Sequence, residues 1–152
     1  MGIAIFLHTL GVVVWVGGMF FAYMVLRPVA ADLLDPPLRL TLWVRVFSHF
    51  FPWVWLSLAF IMSSGLYMIM ALGGFKAVAW SVHLMFGIGL VMALVFCFVY
   101  FVSYGKLVKV VAVHDWKQGG VALATTRKLI GFNLSLGLIN IVVAGISHMP
   151  VW

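Results

Sequence analysis

Four apolar runs, at about residues 3–26, 44–72, 78–104 and 129–149, dominate this chain of 152 residues. A helix needs about 20 residues to cross the hydrocarbon core of a bilayer, and each run meets that length. Lipid offers the backbone no hydrogen-bond partners, so a spanning segment must satisfy its own peptide groups as a helix, or pair them within a closed barrel. Barrel strands read as roughly ten-residue segments of alternating polarity, whereas these runs are continuously apolar. The expected fold is therefore an all-α integral membrane protein. It is an antiparallel up-down bundle of four transmembrane helices, forming one domain over residues 1–152. A short interfacial helix is expected between spans one and two, beginning after Pro37.

With 66% hydrophobic and 8% charged residues, the chain has too little polar surface to coat a soluble globule. Nine Lys and Arg against three acids give 9 − 3 = +6. That excess does not point to nucleic acid, because its placement follows the rule that basic loops stay on the cytoplasmic side. Arg27, Arg39 and Arg45 flank the first connection. Lys106, Lys109, Lys117, Arg127 and Lys128 flank the third, where a Gly119-Gly120 turn is expected. Only Lys76 lies between spans two and three. The reading is a multi-pass protein of the bacterial inner membrane with both termini periplasmic. No basic residue precedes the first run, so it is expected to be a retained span rather than a signal peptide. All three acids lie in the basic loops, so carboxylate catalysis inside the bundle is excluded; phosphate-loop and His-Glu-x-x-His motifs are also missing from the sequence.

The ionisable residues inside the spans are the candidates for function. His8, Gly11, Trp15, Gly18 and Ala22 are spaced by threes and fours and share one helical stripe. On the predicted topology His8, His83 and His148 reach a similar depth in the outer half of the bilayer, whereas His49 and His114 belong to the basic side. Two imidazoles on separate spans are a usual arrangement for bis-histidine haem b. Small residues beside the ligands, here Gly11 and Gly87, let backbone approach a flat porphyrin. Trp15 and Tyr67 are candidates to pack on such a ring, and Lys76 to meet its carboxylates. A further stripe, Asn133, Gly137, Asn140, Ala144 and His148, places amides inside span four. They would line a cavity, bond a propionate or quinone, or join helices. The first reading is thus a haem b redox protein, with Asn140 among the cofactor contacts, passing electrons between a quinol and a periplasmic acceptor. The second is a copper site of His8, His83 and His148, a donor set suited to a transition metal. The third is a scaffold subunit without cofactor. Leftover glycine faces suit a homodimer.

The segment His8-Thr-Leu-Gly-Val-Val-Val-Trp15-Val-Gly-Gly18-Met-Phe-Phe, followed by Leu26-Arg27-Pro28, resembles the copper resistance protein D (CopD) membrane family. Phe50-Phe-Pro-Trp-Val-Trp55, Ser64-Gly65, His83-Leu-Met, Arg127 and Gly131-Phe-Asn133-Leu resemble its small stand-alone members. The resemblance implies copper uptake across the inner membrane. A more distant similarity joins His8 and Trp15, at their spacing of seven, to the HemJ-type four-span protoporphyrinogen oxidases. That family's essential span-three Lys is replaced here by His83, which departs from its activity and favours a second haem ligand.

Overall fold

The computed structural model describes residues 1–147, which are helical almost throughout and contain no strand. Helix α1, Gly2–Phe20, passes through a π-helical turn, Phe21–Leu26, into α2, Arg27–Leu33. Helix α3 is Pro36–Ala71. Helix α4, Trp80–Phe98, runs through a second π-helical turn, Val99–Tyr104, into α5, Gly105–Ala112; α6 is Trp116–Ser147. These make four continuous rods, Gly2–Leu33, Pro36–Ala71, Trp80–Ala112 and Trp116–Ile146, each long and apolar enough to cross a membrane. The expected four-span all-α bundle is the observed architecture.

The rods are longer than the apolar runs. At about 1.5 Å rise per residue, rods of 31 to 36 residues outreach a hydrocarbon core about 30 Å thick. The excess carries most of the basic residues, so helix continues past the lipid at the end where spans one and two, and three and four, are joined. The short helix expected after Pro37 is accordingly placed differently. It occurs as α2, a continuation of span one, and from Pro36 onward the chain is already span two. The break is only Leu34–Asp35. Asp35 is extended (φ −58°, ψ 154°), as a residue before proline prefers, and Pro36 and Pro37 occupy first-turn positions where a missing N–H costs nothing.

The third connection also departs from expectation. Gly119 and Gly120 do not turn the chain; they lie inside α6. The turn is Val113–Asp115, with His114 left-handed at φ 57°. The Asp115 carboxylate accepts the Gln118 amide N–H at 3.0 Å, which starts the helix before the glycines are reached. Gly119 instead serves packing: a Cβ there would stand 2.9 Å from Leu40 Cδ1 on α3. Between spans two and three, Gly73 (φ 102°) and Gly74 (φ 83°) end α3. The Gly74 N–H donates to Ile69 O at 2.9 Å and that of Gly73 to Met70 O at 3.1 Å, a Schellman closure that requires positive φ.

Cross-contacts fix the antiparallel order. His8 meets Ser64, and Gly11 meets Ser57 and Ile61, so span one runs against span two. Ser103 pairs with Thr126 at 2.7 Å, and Asn140 with the Met85 carbonyl at 3.3 Å, so span three runs against span four. Within lipid, helices gain little from hiding apolar surface from one another, and close van der Waals contact holds them together. The interior is an aromatic column. Trp43, Phe47 and Phe51 follow one another along α3 with centroids 5.2 and 5.1 Å apart, and Phe96 of α4 sets its edge or face against Trp15, Phe51 and Trp55. The outer surface is covered with exposed Ile3, Phe6, Val13, Leu94 and Ile146 among others, a lipid-facing surface. This is a multi-pass membrane protein.

Because α3 lies directly on Gly11, adding one methyl group there tests the packing. A Cβ at Gly11 would stand 2.8 Å from Ile61 Cγ1 and 2.9 Å from the Ser57 carbonyl oxygen, whereas one at Gly89 meets nothing within 4 Å. Gly11→Ala is expected to destabilise the detergent-solubilised protein by about 1–3 kcal/mol, and Gly89→Ala to leave it unchanged or slightly stabilised. Thermal unfolding of the two variants side by side measures the difference.

Candidate functional site

His8 is half-buried in α1, against α3, with its Nδ1 3.1 Å from Ser64 Oγ. The Ser64 hydroxyl proton is committed to the Phe60 carbonyl oxygen one turn back. A hydroxyl has one proton to give, so Ser64 Oγ accepts from His8, and the His8 proton resides on Nδ1. Nε2 then carries the lone pair, which is the arrangement of a metal-ligating imidazole whose other nitrogen is held by a hydrogen bond. Gly65 makes room for the ring, since a Cβ there would stand 3.3 Å from His8 Cε1. The sequence places Ser and Gly together at 64 and 65, and the pair forms the floor beneath His8.

Of the predicted stripe of span one, His8, Gly11 and Gly18 meet span two. Gly11 and Trp15 are buried, and Gly18 accepts the Phe50 ring where a Cβ would stand. Gly11 therefore does not offer a flat open face to a cofactor; Ile61 and the Ser57 carbonyl fill that space. Trp15 packs edge-on to Phe96, 5.9 Å between centroids, deeper in the bundle than His8. His83 is exposed on α4. Its Nδ1–H donates to the Ala79 carbonyl at 3.1 Å, which likewise leaves the lone pair on Nε2, and its ring lies 5.9 Å from that of Phe75. Gly87 is exposed, with nothing within 4 Å of a Cβ position, and Tyr67 and Lys76 are exposed as well. The residues proposed from the sequence thus divide: His8 and Gly11 face α3 and Trp15 packs on Phe96 of α4, while His83, Gly87, Tyr67 and Lys76 lie at the surface. His148 lies outside the described residues. Among the described residues no group of three His, Cys, Asp or Glu stands close enough to hold a metal ion.

Asn140 joins helices, its Nδ2–H donating to Met85 O, while its buried Oδ1 has no partner among the described residues. Asn133, two stripe positions earlier, behaves differently. It is 3% exposed, its Oδ1 has no hydrogen-bond partner among the described residues, and it lines a cavity of about 260 Å3 walled by Trp15, Phe47, Phe51, Phe96 and Val99. The cavity lies toward the basic end of the bundle, away from His8. Both π-helical turns border it, through Phe21, Ala22 and Leu26 on one side and Val99 on the other. Such turns widen a helix and often accompany functional sites. The stripe of amides hinted at this cavity; nothing in hydropathy signals the π-helical turns.

Four lipid-exposed helices, an imidazole held in a ligating tautomer and an aromatic cavity define a small four-span integral membrane protein. Residues 44–147 match the copper resistance protein D (CopD) family, and the chain belongs to that family. No curated protein and no solved structure matches the chain. The matched region begins within α3 and includes Ser64, Gly65 and His83, with His8 supplied by α1 outside it.

Removing the Ser64 hydroxyl leaves the Ile61 carbonyl as the remaining hydrogen-bond partner of His8, so the preference for one tautomer should weaken. In Ser64→Ala, the imidazole 15N shifts of His8 should move from a single Nδ1–H form toward a mixture of both. Unchanged shifts would show that Ser64 does not set the tautomer.

Proposed function

We propose that the protein handles copper at the membrane, taking up the ion as cargo on the face opposite the basic loops, with His8 Nε2 as a nitrogen ligand. The family match over residues 44–147 is the observation that carries this reading. The lone pair left on Nε2 by the Ser64 hydrogen bond supports His8 as the ligand. His83, also with Nε2 available, and His148 are the further candidate ligands. A soft Cu(I) ion binds imidazole and thioether together, and Met85 on α4 is a candidate sulfur donor.

A second reading keeps b-type haem between His8 and His83, receiving electrons from a quinol and passing them to a periplasmic acceptor. Both rings holding their proton on Nδ1 favours it; the filling of the Gly11 face by α3 opposes it. One preparation separates the two. Metal analysis of the purified protein, loaded with Cu(I) under reductant, is expected to find copper bound in His8-dependent fashion, with His8→Ala losing most of it. An air-oxidised and dithionite-reduced spectrum is then expected to lack a Soret band. Porphyrin absorption that vanishes in His8→Ala and His83→Ala, with no copper retained, would replace the copper reading with the haem one.

We further propose that the basic end is cytoplasmic in a bacterial inner membrane and that both ends of this chain face the periplasm. Eight of the nine Lys and Arg residues belong to the two basic segments. Fusions at either end are expected to be active with a periplasmic reporter and silent with a cytoplasmic one; the reverse pattern at either end would refute the orientation.

A further inference from the structure

The cavity toward the basic end has a composition that narrows its occupant. Six aromatic rings line it, from Trp15, Phe21, Phe47, Phe50, Phe51 and Phe96, and among the remaining lining residues only Asn133 carries a hydrogen-bonding side chain besides the Trp15 indole. Asn133 is 3% exposed and its Oδ1 is unpaired among the described residues. Leaving a buried acceptor unpaired is destabilising, and a leucine at that position would avoid the cost. Water is a poor remedy, since a buried water needs two to four polar partners and these walls offer too few. The rim is formed by exposed Phe21 and half-buried Leu26, Val46 and Phe50, on the facing sides of spans one and two. At this level of the bundle the surroundings are lipid, so entry is sideways from the membrane. Gly18 allows the Phe50 ring to rest on α1 at that rim.

The geometry points to a binding site for the head of a membrane quinol, a flat aromatic ring bearing hydrogen-bonding oxygens on an apolar tail. The ring lies among the aromatic walls, where offset and edge-on contacts favour a planar guest. One ring oxygen bonds Asn133. By turning about its last torsion the buried amide serves either oxidation state, because Oδ1 accepts from a hydroxyl and Nδ2–H donates to a carbonyl. The tail leaves between Phe21 and Phe50 into the bilayer. An acyl chain from a lipid would fill the same walls but leave Asn133 unpaired, which distinguishes the two occupants. The site is independent of the copper reading, since it shares no residue with the His8 pocket.

The test uses the full chain in detergent, free of metal, titrated with a decyl-substituted benzoquinol, its oxidised quinone, and decanol as a tail without a ring. The quinol is expected to raise the unfolding midpoint saturably, the quinone to quench tryptophan fluorescence saturably, and decanol to do neither at equal concentration. Asn133→Leu should unfold at a higher temperature than the native protein without ligand, and should bind quinol at least about tenfold more weakly. Asn133→Ala keeps the cavity while removing the amide, and should show the same loss of binding. Absence of saturable binding to the native chain would overturn the proposal. So would decanol matching the quinol, which would make this an acyl-chain site, or undiminished quinol binding by the Asn133 variants. None of these measurements depends on copper, so failure here and failure of the copper reading are separately visible.

Discussion

Span one lies against span two because Gly11 and Gly18 carry no side chain. In a bilayer there is little gain from withdrawing apolar surface from lipid, so helix association rests on how closely backbones and side chains can meet. At Gly11 the neighbour is partly backbone, the Ser57 carbonyl, which cannot move aside as a side-chain end can. This contact sets the register of the pair. With Gly11 at Ser57 and Ile61, His8 falls one turn further on, at Ser64 and Gly65, and Gly18 falls at Phe50. The tautomer of His8 and the seat of Phe50 at the cavity rim are both consequences of that one register.

Much of this was legible in the sequence, for reasons that also explain what was not. Long apolar runs announce spans because lipid tolerates little else, and the three-and-four spacing of His8, Gly11, Trp15, Gly18 and Ala22 announces a common face. Periodicity identifies a face but not what it meets. Of the two glycines that suggested room for a porphyrin, Gly11 makes room for α3, and Gly87 is exposed with nothing near it. Rod ends were missed because Lys and Arg lower hydropathy without ending a helix; α5 carries Lys106 and Lys109 on helical backbone. Gly119-Gly120 looked like a turn, yet the Asp115 cap begins α6 ahead of it, and Leu40 occupies the space that Gly119 leaves. Asn133 was visible as an odd amide in an apolar run. Whether such an amide joins helices, as Asn140 does, or faces a void depends on the packing of all four spans.

The two polar features divide the bundle by depth. Toward one end stands the His8 imidazole, hydrogen-bonded to Ser64. Toward the basic end is a cavity with aromatic walls, open at a rim between spans one and two, and one amide oxygen without a partner among the described residues. Family membership speaks to copper and to the membrane, and is silent on the cavity. Trp15, Phe96 and Phe51, a continuous set of ring contacts, form the cavity wall.

The two-residue connection Leu34–Asp35 has a mechanical consequence. It ties spans one and two at the basic end, while eight residues, Leu72–Ala79, separate the helices of spans two and three at the other. If the first two spans separate, they do so like the arms of tweezers joined at the base. A small change of angle then widens the gap in proportion to distance from the joint. The cavity rim, near that joint, moves least, and the contact between His8 and Ser64, near the tips, moves most.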